Sequence, residues 1–487
     1  MLALLVWGVL AFGAVYPWAY TPLLAGCAAV GLAAIVQNRR LGQPDDYPLL
    51  TRAWLLLSAA VVLQIIPLPP RVLAALSPAA PAFLESYDLG YLAAGLPQAD
   101  TVAPANTVSL FRASWHALSI SPSSTAVGLL FLAVLGLFLL GLTHAFSRGG
   151  LSRLVRGVIV LASVVAFVGI AQLSIIGDEA YTGMKIYGVW QPENLLVTPF
   201  GPFVNKNHFA GWMLMALPLA LGYMCSMLED ARLLRARSLR DRVLWFSTPQ
   251  GGQLLLVGLA SVLMAFSLLM TRSRSGLISL AVAMVVAGGA AVRAFRGGLA
   301  RATVVTALVV LFVVPMLWLG PDVALGRLLG GQEGYLKTRL DAWQSALRIL
   351  ADFPLAGTGL NTFGVATVLY QVGGGGLHFA QAHNDYLQVA AEGGLLVGVP
   401  ALLFVAAVAM SIARRVRCGE DDPASRWLRT GAIAGIIGML VQSLVEFSLQ
   451  MPGNAVLFVV LLAAAMHVSP AARAARCQPD RILARPH

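Results

Sequence analysis

The chain has 487 residues, of which 58% are hydrophobic and 11% are charged, and its 33 Lys and Arg residues outnumber 22 Asp and Glu residues. Soluble globular proteins are about 45–50% apolar and about 25% charged, so this composition excludes an ordinary soluble enzyme, a disordered protein and a nucleic-acid-binding protein. It indicates an integral membrane protein.

Twelve stretches are apolar enough to form membrane-spanning helices, which need about 20 largely apolar residues each. They cover roughly residues 3–19, 21–37, 49–67, 124–146, 154–176, 208–228, 252–270, 276–293, 303–320, 393–413, 430–449 and 454–469. We therefore predict an all-α, polytopic integral membrane protein with about twelve transmembrane helices, in which residues 1–487 form a single membrane domain.

Basic residues are distributed unevenly between the segments that connect these spans. With the N-terminus inside, the inner segments carry 23 of the 33 Lys and Arg residues. Since Lys and Arg in short loops mark the cytoplasmic side, both termini are predicted to be cytoplasmic. Three long segments, about 68–123, 177–207 and 321–392, then lie outside. Loops of this length are usually functional, so we expect the chemistry on the outer face.

The sixth span opens with Asn205, Lys206, Asn207 and His208. Free N–H groups at a helix N-terminus favour negative charge, so this segment is a candidate binding corner for an anion or a sugar. The alternative is that Lys206 anchors the helix at the membrane interface and an Asn caps it.

Arg272 and Arg274 lie in the short connection between the seventh and eighth spans, at the outer edge of the bilayer. A guanidinium is costly there unless it has an anionic partner, and its planar fork suits two oxygens of a phosphate. The alternative is a pair of anchors that extend to the interface.

The last outer segment contains five residues at helical spacing: Arg339, Trp343, Ala346, Leu347 and Leu350. They predict an amphipathic helix near the membrane surface that ends before Pro354. Arg339 is then either a solvated charge or a ligand for a phosphate headgroup. The glycine run 373–376 predicts a hinge, because four glycines hold no single backbone geometry cheaply.

His383, Asn384 and Asp385 follow this hinge and precede the tenth span. Imidazole titrates near neutrality and is oriented by a neighbouring carboxylate or amide, so His383 is a candidate base for a hydroxyl proton. The alternative is an interfacial His that caps the helix.

Glu446 is the only acidic residue that we place inside a span. Intramembrane acids are usually paired and functional. Glu446 either faces the Arg residues at the outer edge or marks a proton path, as in a transporter.

Together these motifs resemble the O-antigen ligase and O-antigen polymerase superfamily of bacterial membrane glycosyltransferases. The resemblance covers roughly residues 200–460 and rests on Asn205 to Phe209, Ser273 to Gly276, Arg339 with Trp343, the Pro354, Gly357 and Gly359 turn, His383 to Gln388, and Glu392 to Gly394. It implies a GT-C-like fold with a long helical periplasmic loop, residues 321–392, between spans 9 and 10.

The resemblance also implies an inverting, metal-independent transfer from an undecaprenyl-diphosphate-linked glycan donor, with His383 as the base and with Arg274 and Arg339 on the diphosphate. We expect Arg272, Lys206, His208, Asn384 and Glu446 to contact substrate in the same outer cavity. No cofactor and no metal are expected.

The acceptor stays open between a lipid-linked repeat, as in a polymerase, lipid A core, as in a ligase, and a protein, as in some relatives of the family. We expect the protein in the inner membrane among its lipids, with the site facing the periplasm. The alternative is a transporter of lipid-linked glycan or polysaccharide, which would place its charged residues near the bilayer midplane, whereas here they cluster at the outer edge.

Overall fold

The computed structural model describes residues 1–42, 44–95, 115–146, 150–176, 185–192, 197–230, 239–294, 306, 333–373, 378–418 and 422–468. These residues form seventeen α-helices and one two-stranded antiparallel sheet, in which β1 (Pro67–Leu68) pairs with β2 (His116–Ala117). The prediction of an all-α, polytopic membrane protein is confirmed.

The helices of the first half are α1 (Leu2–Leu10), α2 (Pro17–Arg40), α3 (Pro48–Ile65), α4 (Pro70–Leu76), α5 (Ala80–Tyr87), α6 (Leu89–Gly95), α7 (Pro122–Phe146), α8 (Leu151–Ile176) and α9 (Lys206–Asp230). The second half contains α10 (Leu239–Phe246), α11 (Pro249–Met270), α12 (Arg274–Ala294), α13 (Glu333–Asp352), α14 (Phe363–Tyr370), α15 (Asp385–Cys418), α16 (Pro423–Gln442) and α17 (Pro452–Ala465).

Within the described ranges, eight helices are long and apolar enough to cross a membrane: α2, α3, α7, α8, α9, α11, α12 and α15. Helices α16 and α17 occupy two further predicted spans. The predicted span 303–320 lies outside the described residues, apart from residue 306.

The first predicted span, 3–19, is not one helix. Helix α1 ends at Leu10, a 3₁₀ turn follows at Phe12–Ala14, and α2 begins at Pro17. Gly13 adopts a left-handed conformation with φ of 70°, and proline favours the first position of a helix. Nine residues of helix span only about 14 Å, so α1 alone does not cross a bilayer.

Helix α9 lies at the centre of the membrane layer, with most of its surface buried. A Cβ atom on Gly431 of α16 would lie 2.5 Å from the carbonyl oxygen of Pro218 in α9, so glycine is required at this crossing. Small residues allow membrane helices to approach closely. This packing fixes the start of α9 and the end of α16, which both belong to the site described below.

Helix α15 is broken at Gly394, where φ is 52° and ψ is −153°. The break leaves two backbone N–H groups without partners inside the helix. Two carbonyl groups of a neighbouring turn accept hydrogen bonds from them. Leu395 donates to the carbonyl of Pro354 at 2.9 Å, and Leu396 donates to that of Leu355 at 2.8 Å. The first turns of α15 are therefore tied to the segment that follows α13.

The outer segments form a layer with a hydrophobic core of its own. Its core residues come from α4 and α5, from the segment after β2, and from α13, α14 and the start of α15: Leu73, Ala80, Phe83, Leu84, Leu118, Ile120, Ala342, Ala346, Ile349, Phe353, Ala356, Phe363, Ala366, Phe379, Ala382 and Ala391. The two long outer segments around 68–123 and 321–392 therefore pack together.

The predicted amphipathic helix is present as α13, but its buried face differs in detail. Ala346 is buried as expected, and Ala342 and Ile349 complete the buried stripe, whereas Leu347 is 52% exposed. Residues 374–376 of the predicted hinge lie outside the described residues.

Candidate active site

A single buried carboxylate, Glu446, joins residues from three distant parts of the chain. Its Oε1 accepts a hydrogen bond from Asn207 Nδ2 at 2.6 Å and another from a terminal nitrogen of Arg339. Its Oε2 lies 3.5 Å from Nδ1 of His383. Glu446 follows α16, Asn207 lies in the first turn of α9, and Arg339 belongs to α13. The packing of these elements therefore brings Arg339 and His383 to the same carboxylate.

His383 is held in an unusual backbone conformation directly before α15. Its φ is 52°, and its carbonyl oxygen accepts a hydrogen bond from Trp343 Nε1 at 3.4 Å. A left-handed conformation costs a non-glycine residue roughly 1–3 kcal/mol and tends to occur at functional sites. The side chain is 29% exposed, while Nδ1 is buried beside Glu446. The imidazole is therefore partly open while one of its nitrogens faces a carboxylate.

Asn384 makes a structural contact at the start of α15, and its predicted contact with substrate stays a prediction. Its side chain is buried, and Oδ1 accepts a hydrogen bond from the backbone N–H of Leu387 at 3.0 Å. This is the usual interaction of an N-cap residue. Asn384 therefore fixes the start of α15 and, with it, the position of His383.

His208 lies beside the same aromatic ring as His383 but is not open to the outer side. The ring of Phe447 lies 4.8 Å from that of His383 and 4.9 Å from that of His208. His208 is 5% exposed, and neither of its ring nitrogens has a hydrogen-bond partner among the described residues. The geometry gives no support to its predicted contact with substrate.

Lys206 and Arg272 lie on the outer edge of the Glu446 cluster. Lys206 is the first residue of α9, and its ammonium interacts electrostatically with both Arg272 and Glu446. Arg272 adopts φ of 55° in the connection between α11 and α12. Lys206 and Arg272 both carry positive charge, so an anion bound near them would reduce their mutual repulsion, and a phosphate has oxygens for both.

Arg274 is exposed in the first turn of α12. Ser273 Oγ accepts a hydrogen bond from the backbone N–H of Gly276 at 3.2 Å and caps the helix. A Cβ atom on Gly276 would lie 2.7 Å from that of Ala210 in α9, so the starts of α9 and α12 are adjacent. Both positive helix ends thus face the same outer edge, which favours anion binding there.

Two acidic residues near the site accept hydrogen bonds from neighbouring segments and so stabilise the backbone around it. Glu392 is buried and accepts hydrogen bonds from the backbone N–H groups of Asn361 and Phe363 at 2.7 and 2.9 Å. Asp385 accepts one from Gln450 Nε2 at 2.7 Å. Among the described residues, no group of three or more His, Cys, Asp or Glu side chains is placed to hold a metal ion.

The sequence did not identify Asn207 or Phe447 individually as members of the candidate site. Asn207 lies within the motif that opens α9, but its contact with Glu446 depends on the packing of α9 against α16. Phe447 follows Glu446 directly in the chain, and its adjacency to the acid is the only signal that the sequence contains.

The sequence was compared with known proteins. Residues 259–402 match the family model described as O-antigen ligase. No curated protein gives a significant match. The matched segment begins in α11, ends in α15 and contains Arg272, Arg274, Arg339 and His383. It confirms the predicted resemblance to the O-antigen ligase and polymerase superfamily and supports glycosyl transfer of that general type.

Proposed function

Because residues 259–402 match the O-antigen ligase family, we propose that this multi-pass membrane protein moves a glycan from an undecaprenyl-diphosphate-linked donor to a hydroxyl group of an acceptor glycan. The reaction takes place on the periplasmic side of the bacterial inner membrane. One observation carries the proposal: His383, partly exposed at the outer end of α15, directs Nδ1 at a carboxylate that also binds Arg339.

In the transfer step, Nε2 of His383 accepts the proton of the acceptor hydroxyl. The oxygen attacks the anomeric carbon of the donor sugar from the face opposite the diphosphate, and a new C–O bond forms. The bond between the anomeric carbon and the diphosphate oxygen breaks, the electron pair leaves with the lipid diphosphate, and the configuration is inverted. Glu446 holds the imidazole in place and stabilises the imidazolium that forms, as a buried carboxylate does in other His-based sites.

The leaving diphosphate is neutralised by basic side chains on the same edge. Arg274, Arg272 and Lys206 lie at the starts of α9 and α12, whose positive helix ends add to their charge. Arg339, which contacts Glu446, adds a further guanidinium to this edge. Preorganised donors of this kind stabilise charge that develops in the transition state.

We infer that the transfer needs no divalent metal, because guanidinium and ammonium groups lie where a metal would otherwise bind the diphosphate. Purified protein is expected to keep its transfer rate in excess EDTA. A rate that falls with EDTA and returns only with Mg²⁺ or Mn²⁺ would contradict this part of the proposal.

Polymerase and ligase differ in the acceptor and not in the donor step. The deciding experiment uses proteoliposomes that contain the purified protein, a lipid-linked glycan donor and no energy source, with lipid-linked repeat or lipid A core as the acceptor. Transfer to either acceptor supports the proposal and identifies the activity. Movement of the donor across the bilayer without transfer to either acceptor would favour the transporter alternative.

A further inference from the structure

A polar cavity lies near the end of α15 that is distant from the candidate active site. The 24 residues of α15 that follow the break at Gly394 span about 36 Å, which is enough to cross the hydrocarbon layer of a membrane. The cavity has a volume of about 250 Å³ and lies between the start of α3 and the end of α15. Its lining residues are Asp46, Tyr47, Pro48, Leu49, Met410, Ser411, Arg414 and Arg415.

Arg415 is a buried cation in this cavity. It is 9% exposed, its Nε donates to the hydroxyl of Tyr47 at 3.0 Å, and its guanidinium carbon lies 5.4 Å from the centre of the Tyr47 ring. The Tyr47 hydroxyl in turn donates to the carbonyl of Met466. Of the residues that the structure describes, none forms an ion pair with Arg415. A buried charge is costly without a counter-charge, so the site favours an anion.

The remaining lining residues define which anion fits. Arg414 adds a second guanidinium, and among the described residues Asp46 is the only carboxylate in the lining, so the net charge of these lining residues is positive. Leu49 and Met410 are 45% and 44% exposed and provide an apolar wall on the lipid side. The cavity therefore combines a site for phosphate oxygens with a surface that suits glycerol and acyl groups.

The geometry points to a binding site for the phosphate group of an anionic glycerophospholipid, with Arg414 and Arg415 as its ligands. Inner connections rich in Arg indicate the cytoplasmic side, where anionic lipid headgroups are attracted by basic pockets between helices. A lipid bound here joins α3 to α15 through the Tyr47 and Arg415 contact. This site lies apart from the glycosyl-transfer site and does not depend on its function.

The test is native mass spectrometry of the purified full-length protein with added dioleoyl phosphatidylglycerol. Dioleoyl phosphatidylcholine serves as the zwitterionic comparison, and inorganic phosphate is tested separately. A charge-assisted hydrogen bond is worth about tenfold or more in affinity. We expect Arg414→Ala and Arg415→Lys each to weaken phosphatidylglycerol binding by about that factor. Lysine is used at 415 because it keeps the buried charge and much of the side-chain volume.

Arg417→Ala is the matched control, because Arg417 is exposed on the same helix and does not line the cavity. Its phosphatidylglycerol affinity is expected to equal that of the wild type. Equal losses in all three variants would show attraction to general surface charge and would overturn the site. Equal binding of phosphatidylcholine, or saturation by inorganic phosphate alone, would overturn its assignment to an anionic lipid. If Arg415→Lys fails to fold, the comparison of Arg414→Ala with Arg417→Ala decides.

Discussion

The surroundings of the two histidines that contact Phe447 differ in one decisive respect. His383 lies at the outer end of α15, is partly exposed and directs one ring nitrogen at Glu446. His208 is the third residue of α9 and is almost completely buried. Both histidines occur beside Asn residues at the start of a helix, so local sequence alone does not rank them. Access to a substrate together with an orienting carboxylate distinguishes a candidate base from a packed ring.

The largest expected effect comes from removal of the exposed histidine. A general base is typically worth about 10²–10⁴-fold in rate, so His383→Ala is expected to lose transfer by that factor while donor affinity changes little. His208→Ala is the matched control and should keep its turnover within severalfold, provided that its expression and thermal stability are similar. Single-turnover transfer and donor binding, measured separately, check both variants. Full activity in His383→Ala with none in His208→Ala would assign the role of the base to His208 instead.

Glu446→Gln tests whether the carboxylate is what makes His383 different. Glutamine retains the shape but not the charge that stabilises the imidazolium, so turnover is expected to fall about 10²-fold. Asn207→Ala removes an uncharged donor to the same oxygen but keeps the carboxylate, so it should cost less. The transfer rates of the two variants are compared at saturating donor. Equal losses would indicate that Glu446 acts by packing alone and that its charge has no role in the reaction.

The basic residues are expected to act on donor binding as well as on turnover. Arg274→Lys keeps the charge but loses the planar fork, so donor affinity and turnover should each fall about tenfold. Arg293→Lys, in the last turn of the same helix, is the control and should match the wild type. Donor binding and steady-state transfer are measured for both. A normal donor affinity in Arg274→Lys would place the diphosphate elsewhere.

Much of the membrane layer follows from the sequence because apolar length is a strong signal for spanning helices. Ten of the predicted spans coincide with described helices, and α13 appears where helical spacing placed it. The first span was wrong because hydropathy does not register that α1 ends at Leu10 or that a 3₁₀ turn with a left-handed Gly13 follows it. Hydropathy likewise gave no sign of the break at Gly394 in α15.

The candidate site was predictable as a set of residue types but not as a set of contacts. Arg339, His383 and Glu446 are each unusual for their position in the chain. Arg339 and His383 meet at the carboxylate of Glu446 only through long-range packing, which no local sequence pattern encodes. The same limit explains why the sequence could not show that the side-chain oxygen of Asn384, which we grouped with the substrate contacts, accepts a hydrogen bond from a backbone N–H group.

The smallest expected effect concerns the framework that holds His383 at the outer end of α15. At Gly394 the backbone is left-handed, and a Cβ atom would lie 2.6 Å from the backbone nitrogen of Gly357. Strain and overpacking each cost roughly 1–3 kcal/mol, so Gly394→Ala should lower thermal stability and reduce transfer severalfold by displacing the start of α15. At Gly398, four residues later on the same helix, a Cβ atom meets nothing within 4 Å, so Gly398→Ala should leave both unchanged. Thermal unfolding in one detergent and transfer at saturating donor compare the pair. If both variants unfold at the same temperature and transfer at the same rate, the break does not position His383, and its orientation then depends on Glu446, Trp343 and Asn384 alone.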